Sequence, residues 1–265
     1  MSTSLWLNNA LIPSENAHIA PTDRGFLLAD GLFETLRITR GTLPHFALHM
    51  KRFTAGCHTL RLPPPDPLYI RRACECVLQA NQHTEGSLRI TLTRGPGPRG
   101  LAPSPTPHPT LLITSAPQPH TTPADVTLHI SRYTRPPLSP LSAVKSLSYL
   151  PSIMARIEAT DAGYDDALML CPQGQYVASG TSGTLIIELR NRLYTPPLQS
   201  GALPGISRSR IIKSGLCAEK NITPEDYRES SSAYLINSLS ITSISKKLTN
   251  HNTDKKDLIG DFLFL

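Results

Sequence analysis

The sequence predicts an α+β protein of two domains, and three observations support this. Helix-period and strand-period apolar patterns alternate along the 265 residues, and short turns join most of the strands. This length suits one large domain or two small ones. Prolines cluster in the middle of the chain, where 12 of the 25 lie between Pro96 and Pro140. We therefore expect a small N-terminal domain over residues 1–115, a linker over 116–124 and a larger C-terminal domain over 125–265.

Local patterns predict the elements of the N-terminal domain. Asn8-Asn9 separates two short apolar runs, and asparagine tolerates the positive φ of a hairpin turn. Apolar residues recur at helical spacing after Phe46, and Pro67 suits the first position of a helix. The other predicted elements are strands at Leu32–Thr39, Ser87–Arg94 and Leu111–Thr114, a short strand beginning at Leu43, and helices at Phe46–Leu60 and Pro67–Ala80.

The C-terminal domain is predicted in the same way. Thr223 followed by Pro224 is a typical helix start, with threonine as the cap and proline at the first position. Val126–Ile130 is the segment with which this block of the chain begins. The other predicted helices are Leu150–Ala162 and Gly205–Gly215, and the predicted strands are Ala167–Cys171, Gln175–Ala178, Leu185–Leu189, Leu193–Thr195 and Ser232–Ile236.

Composition excludes several classes of protein. The net charge is +6, but Lys and Arg are scattered, and the densest basic stretch, Lys246 to Lys256, is typical of a solvated tail. We therefore expect an anionic small-molecule substrate and no nucleic-acid partner. No apolar run approaches the roughly 18–20 residues that span a bilayer, so no membrane association is expected. Five cysteines without a C-x-x-C pair argue against disulfides and a metal site, and the absence of a signal-peptide pattern favours the cytoplasm.

Three segments could carry chemistry. The first runs from Asp23 to Arg37, and it also fits a plain turn leading into a strand. The second contains Lys145 among apolar and small residues, where a lysine can serve as an amine nucleophile, although a solvated lysine is the simpler interpretation. The third, Gly205-Ile206-Ser207, opens a helix whose first N–H groups attract anions. A reactive amine combined with an anion cradle suggests pyridoxal 5′-phosphate as cofactor.

Together the three segments, in this order and spacing, resemble the class IV aminotransferase family, the pyridoxal-phosphate enzymes of fold type IV. The resemblance runs from Leu5 to about Ser245. It includes the segment from Leu43 to Arg52 and the strand end at Asn237. It implies two α/β domains with the cofactor cleft at their interface, and a homodimer whose subunits share active sites.

The resemblance also implies site residues. Lys145 would form a Schiff base with the cofactor and then move protons as a base. Arg52 would pair with the phosphate, because a guanidinium fits a phosphate bidentately. The other cofactor-binding positions would be Tyr149, Ser179, Gly205, Ile206, Ser207, Asn237 and Ser238.

One position departs from the family pattern. A glutamate usually stands beside the pyridine nitrogen, but here Ser179 occupies that position and Thr184 replaces a usual asparagine. The serine hydroxyl can donate a hydrogen bond to the nitrogen or accept one from it, but it carries no charge. We therefore expect a weaker electron sink than rapid transamination needs.

The segment Arg94-Gly-Pro-Gly-Pro-Arg99-Gly resembles that of 4-amino-4-deoxychorismate lyases, as does Phe33. D-amino-acid aminotransferases usually have tyrosine at the Phe33 position and histidine where Leu101 stands. We therefore predict a lyase that forms 4-aminobenzoate and pyruvate, with Phe33, Arg94 and Arg99 in contact with the substrate. A D-amino-acid or branched-chain aminotransferase, and a catalytically weak cofactor-binding protein, remain alternatives.

Overall fold

A computed structural model describes residues 3–117 and 125–245, together with 259–260 and 262–263. Most of the predicted linker at 116–124, and all of the basic stretch from Lys246 to Lys256, lie outside the described residues.

The chain divides into two units, which differ from the predicted domains in one respect. The first unit comprises Met1–His120 and Val144–Ser148, and the second comprises Thr121–Ala143 and Tyr149–Leu265. The segment around Lys145, which we expected in the C-terminal domain, therefore groups with the first unit.

In the first unit, five antiparallel strands form one sheet in the order β2-β1-β5-β4-β3. The strands are β1 (Ser4–Leu7), β2 (Ala10–Pro13), β3 (Gly31–Thr39), β4 (Glu85–Thr93) and β5 (Thr110–Pro117). The helices are α1 (Arg24–Leu28), α2 (Phe46–Thr59) and α3 (Pro67–Asn81), with a short 3-10 helix at Ser14–Asn16.

Strand alternation gives this sheet one apolar and one more polar face. Leu36 and Ile90 lie on the apolar face, in a core that also contains Phe53 of α2 and Val77 of α3. Because Leu36 and Ile90 lie on the covered face, Phe33 of β3 and Arg89 of β4 lie on the opposite face, whereas Glu34 shares the face of Leu36.

The second unit contains a six-stranded mixed sheet, ordered β12-β11-β10-β13-β14-β6, and a three-stranded sheet, ordered β7-β8-β9. Its strands are β6 (Asp125–Val126), β7 (Leu128–Ser131), β8 (Asp166–Leu170), β9 (Val177–Gly180), β10 (Thr184–Leu189), β11 (Arg192–Thr195), β12 (Cys217–Glu219), β13 (Ser232–Ile236) and β14 (Ile241–Ile244). Its helices are α4 (Leu150–Asp161), α5 (Ile206–Lys213) and α6 (Pro224–Glu229), with 3-10 helices at Pro140–Ala143 and Leu198–Ser200.

Local signals account for two helix starts. Asp66 accepts a hydrogen bond from the Leu68 amide ahead of Pro67, and Thr223 forms a reciprocal capping box with Asp226. Both predicted starts are confirmed.

One predicted element is wrong. Leu43 is not in a strand, because the chain turns back at Thr42, which pairs with Thr39, and then starts α2. The segment Val126–Ile130, where the second block begins, contains parts of two strands in different sheets, since β6 pairs with β14 while β7 pairs with β8. Among the described residues, no helix is both long and apolar enough to cross a membrane.

Candidate active site

Lys145 is fixed to the edge strand β3 through its backbone. Its carbonyl accepts a hydrogen bond from the Phe33 amide at 2.9 Å, and the Leu147 amide donates to the Gly31 carbonyl at 3.0 Å. Val144 is only 5% exposed and packs in the core of the first unit. Because neighbouring side chains of extended backbone point to opposite sides, the Lys145 amine lies on the other side, 4.2 Å from the centroid of the Phe33 ring.

Gly31 makes this arrangement possible. A β-carbon at position 31 would collide with the Leu92 carbonyl oxygen and would lie 2.8 Å from Leu147 Cδ1. The absence of a side chain therefore lets the lysine segment approach β3 closely.

Arg89 is a cation near Lys145 that we did not predict. Its guanidinium carbon lies 3.7 Å from the centroid of the Phe33 ring, within cation–π distance. Thr91 of β4 is paired with Phe33, so Arg89, two residues away, extends from the same face of the sheet. Strand alternation in Ser87–Arg94 could have indicated this.

Arg52 is held by a buried carboxylate. Its Nε and Nη2 each donate to Glu34 at 2.7 Å, and His49 Nδ1 lies 2.8 Å from Glu34 Oε2. Burial would raise the pKa of Glu34, but the hydrogen bonds and positive charge of Arg52, together with those of His49, lower it below its ordinary value. Glu34 therefore stays ionised and fixes the plane of the guanidinium that we predicted to bind phosphate.

Arg94, which we predicted to contact the substrate, is engaged by groups of the protein itself. Its guanidinium donates to both oxygens of Asp30, at 2.7 and 3.0 Å, and to the carbonyls of Leu60 and Arg61. These partners and its burial account for Arg94 as a structural cation, so we do not retain it as a substrate ligand. Arg99, by contrast, is exposed on the loop after β4.

In the second unit, the start of α5 brings several predicted residues together. Gly205 is the cap residue, and it has no side chain to accept a hydrogen bond from the first turn. Ser207 Oγ donates to the Asn237 carbonyl at 2.8 Å, and Asn237 Oδ1 accepts from the amides of Leu239 and Ser240. Ile206 and Ser238 adjoin these residues in the chain. An uncapped helix start beside a polar turn is a typical anion-binding arrangement.

Ser179 is a buried hydroxyl with an unfilled hydrogen-bonding capacity. It lies on β9 opposite Met169, and its Oγ has no hydrogen-bond partner among the residues that the structure describes. Buried polar groups normally have partners. A ligand that offers a ring nitrogen would satisfy this hydroxyl.

Tyr149 precedes α4, and its carbonyl accepts a hydrogen bond from the Ile153 amide. Arg135 is close enough for its charge to interact with Tyr149. Burial lowers the pKa of Arg135, and the interaction with Tyr149 opposes that effect.

These residues fit a phosphorylated pyridine aldehyde. In the first unit, Lys145 offers an amine and Arg52 a guanidinium of the kind that binds phosphate. In the second unit, taken by itself, the start of α5 offers amides of the kind that bind phosphate, and the unsatisfied hydroxyl of Ser179 offers a hydrogen bond of the kind that a ring nitrogen makes. The fold and these groups define a protein able to use pyridoxal 5′-phosphate.

Comparisons with known proteins identify the family. The model of amino-transferase class IV matches residues 31–246, and the chain belongs to this family of pyridoxal-phosphate enzymes. A provisionally named branched-chain-amino-acid aminotransferase of Methanocaldococcus jannaschii is 32% identical, over 79% of this chain and 73% of the relative. An aminodeoxychorismate lyase of Vibrio harveyi is 28% identical, over 78% and 76%.

The fold is also shared with solved structures. The branched-chain aminotransferase of Thermoproteus uzoniensis has a TM-score of 0.89 and 23% identity, over 99% of this chain and 94% of that one. The predicted fold type and cofactor are therefore confirmed, while the site residues remain predictions.

Proposed function

We propose that the chain is a 4-amino-4-deoxychorismate lyase, which releases 4-aminobenzoate, a folate precursor, and pyruvate. The observation that carries this proposal is Ser179, a buried neutral hydroxyl where the resemblance leads us to expect a glutamate. The Arg94–Gly100 segment and Phe33, which resemble those of the lyases, support it.

Ser179 matters because it sets how strongly the site can withdraw electrons. When bound, the cofactor supplies a conjugated ring that withdraws electrons from the carbon bearing the substrate amine. A carboxylate beside the ring nitrogen would strengthen that withdrawal, whereas the Ser179 hydroxyl offers only a neutral hydrogen bond. A reaction that produces an aromatic ring has its own driving force and tolerates the weaker withdrawal.

We assign the catalytic roles to groups of the first unit. Lys145 Nζ removes the proton from the carbon that bears the amine, and the bond from the neighbouring carbon to the enolpyruvyl oxygen then breaks. Lys145 returns a proton to the departing enolpyruvyl group, so pyruvate leaves and no water is consumed. Arg89, beside Phe33, and the exposed Arg99 would bind substrate carboxylates.

The remaining predicted residues would hold the cofactor. Arg52 and the first turn of α5 would bind its phosphate, with Asn237 and Ser238, and Tyr149 would lie beside its ring.

The test compares two products from the purified protein loaded with pyridoxal 5′-phosphate. The release of 4-aminobenzoate from aminodeoxychorismate is measured by the fluorescence of the product. We expect this rate to exceed the rate of keto-acid formation from D-alanine and L-leucine. Keto-acid formation without 4-aminobenzoate would refute the lyase proposal.

The Ser179→Glu variant tests the reason given for this preference. A carboxylate at this position should raise transamination by about tenfold or more, because charge placed at the reacting group is worth that much or more in enzyme sites. Ser179→Ala is the matched control, which removes the hydroxyl without adding charge and should bring no gain. An unchanged ratio of lyase to transaminase rates in Ser179→Glu would show that another residue sets the preference.

Transamination is the second candidate function. The identity of 32% to the Methanocaldococcus jannaschii relative favours it. Formation of keto acid from L-leucine in the same assay would support a branched-chain enzyme, and formation from D-alanine would support a D-amino-acid enzyme.

We also propose that the chain acts as a homodimer. Phe26, Leu27 and Leu28 of α1 are consecutive and are exposed by 77%, 55% and 45%. Clustered exposed apolar residues are typical of a protein–protein interface. Light scattering should give twice the chain mass of 28.9 kDa, and a monomeric mass at micromolar concentration would contradict the proposal.

A further inference from the structure

The side chain of Arg24 holds the loop that carries Arg99. Arg24 Nη1 donates to the Gly100 carbonyl at 2.9 Å, and Arg24 Nη2 donates to the Leu101 carbonyl at 2.8 Å. The Arg24 amide also donates to the Gly95 carbonyl at 3.0 Å. One residue of α1 therefore contacts both ends of the loop.

Burial distinguishes Arg24 from the loop that it holds. Arg24 is 5% exposed, whereas Leu101 is 83% exposed and Arg99 and Gly100 are also exposed. Exposed loops rich in glycine have little packing of their own and lose much conformational freedom when they become ordered. Besides the backbone hydrogen bond from the Gly97 amide to the Thr22 carbonyl at 3.2 Å, the hydrogen bonds from Arg24 restrain the segment beside Arg99.

Asp30 anchors Arg24 to the rest of the unit. Its carboxylate accepts from Arg24 Nε at 2.9 Å and also from Arg94. Burial would raise the pKa of Asp30, but hydrogen bonds and charge from Arg94 and Arg24 lower it. Arg94 in turn donates to the Leu60 carbonyl just after α2. A continuous chain of hydrogen bonds therefore runs from the end of α2 through Arg94, Asp30 and Arg24 to the loop.

We infer that Arg24 is a positioning residue for Arg99, holding the loop in the conformation in which Arg99 binds an anionic substrate. This inference rests on the proposed role of Arg99. Only an arginine side chain can serve in this way, because its planar fork directs Nε to one partner and two further nitrogens to others. A loop ordered in advance costs less to fix when substrate binds, so loss of the restraint weakens binding more than turnover.

A double-mutant cycle tests the inference with the cofactor-loaded enzyme. Arg24→Gln should raise KM for aminodeoxychorismate by about tenfold or more and change kcat little, because misplacing a substrate-binding group has effects of this size. In the Arg99→Gln background, Arg24→Gln should have no further effect on KM, since Arg24 acts through Arg99. Arg72→Gln is the matched control, because it removes an equal charge from the exposed surface of α3 in the same unit.

Cleavage by trypsin after Arg99 gives a readout that does not depend on activity. This bond precedes Gly100, whose carbonyl accepts a hydrogen bond from Arg24, so Arg24→Gln should speed cleavage of the bond about tenfold. The native protein is digested, and the cleavage rate is measured by mass spectrometry of the products. Arg24→Lys keeps the charge beside Asp30 but cannot reach both carbonyls, and it should show the same increase. The Arg72→Gln control should be cleaved at the wild-type rate.

The outcomes separate this inference from the proposed function. If Arg99→Gln leaves KM unchanged, the substrate role of Arg99 is wrong, and the inference fails with it even if Arg24 restrains the loop. If Arg99→Gln raises KM while Arg24→Gln changes neither KM nor cleavage, the positioning role is overturned and the role of Arg99 stands. An additive effect of Arg24→Gln in the Arg99→Gln background would overturn it too.

Discussion

Lys145→Ala is expected to lower kcat/KM by about 10⁴-fold or more, because the substitution removes both a nucleophilic amine and a proton-transfer base. The amine lies over Phe33, and the backbone of the same residue is bonded to β3. Alanine keeps those backbone hydrogen bonds and leaves Val144 in the core. The loss of activity should therefore come without loss of the fold.

Absorbance measurements check this expectation. The wild-type protein with pyridoxal 5′-phosphate should show a visible Schiff-base band that disappears on treatment with borohydride, and Lys145→Ala should lack the band. Lys220→Ala, which removes a lysine paired with Asp226 in the second unit, should keep it. A band of wild-type intensity in Lys145→Ala would show that another amine binds the cofactor.

The position of Lys145 shows where sequence reasoning stops. The residue types around it indicated a reactive amine, and the resemblance indicated its role. Its grouping with the first unit depends on hydrogen bonds to Gly31 and Phe33, which are far away in the sequence. Pairing of that kind is set by tertiary packing and leaves no local pattern, so a domain boundary drawn from the proline cluster assigned the segment to the other unit.

The arginines show a second limit. Three arginines lie between Arg89 and Arg99, and the sequence motif drew attention to the last two. Asp30 engages Arg94, whereas strand geometry carries Arg89 to Phe33. Residue type predicts what a side chain can bind, but its partners decide what it does bind.

Helix starts were predicted well because Asp66 and Thr223 act within a few residues of the chain.

Glu34→Gln is expected to destabilise the first unit by about 3–5 kcal/mol, because removing one charge of a buried pair leaves the other without compensation. Glu34 is 1% exposed and accepts hydrogen bonds from both Arg52 and His49. Glutamine has nearly the same shape, so the loss reports charge and hydrogen bonding rather than a cavity. Glu75→Gln, on the exposed side of α3, should change stability by less than about 0.5 kcal/mol.

The fluorescence of Trp6 makes this measurement specific to the first unit. Trp6 is the sole tryptophan of the chain and lies on β1, in the same sheet as Glu34. Urea titrations followed by this fluorescence therefore report unfolding around the substitution, whatever the second unit does.

The dependence on pH shows whether the lost stability is that of an ionised carboxylate. Although burial opposes it, the hydrogen bonds from Arg52 and His49 hold the folded-state pKa of Glu34 below its ordinary value of 4.5. A group whose pKa is lowered by folding contributes stability above its unfolded-state pKa, and this contribution is lost as the pH falls through the folded-state value. The difference in unfolding free energy between wild type and Glu34→Gln should therefore be constant near neutral pH and shrink below pH 4.5. A difference that persists unchanged into that acidic range would mean that shape and hydrogen bonding, rather than the charge of Glu34, hold Arg52 in place.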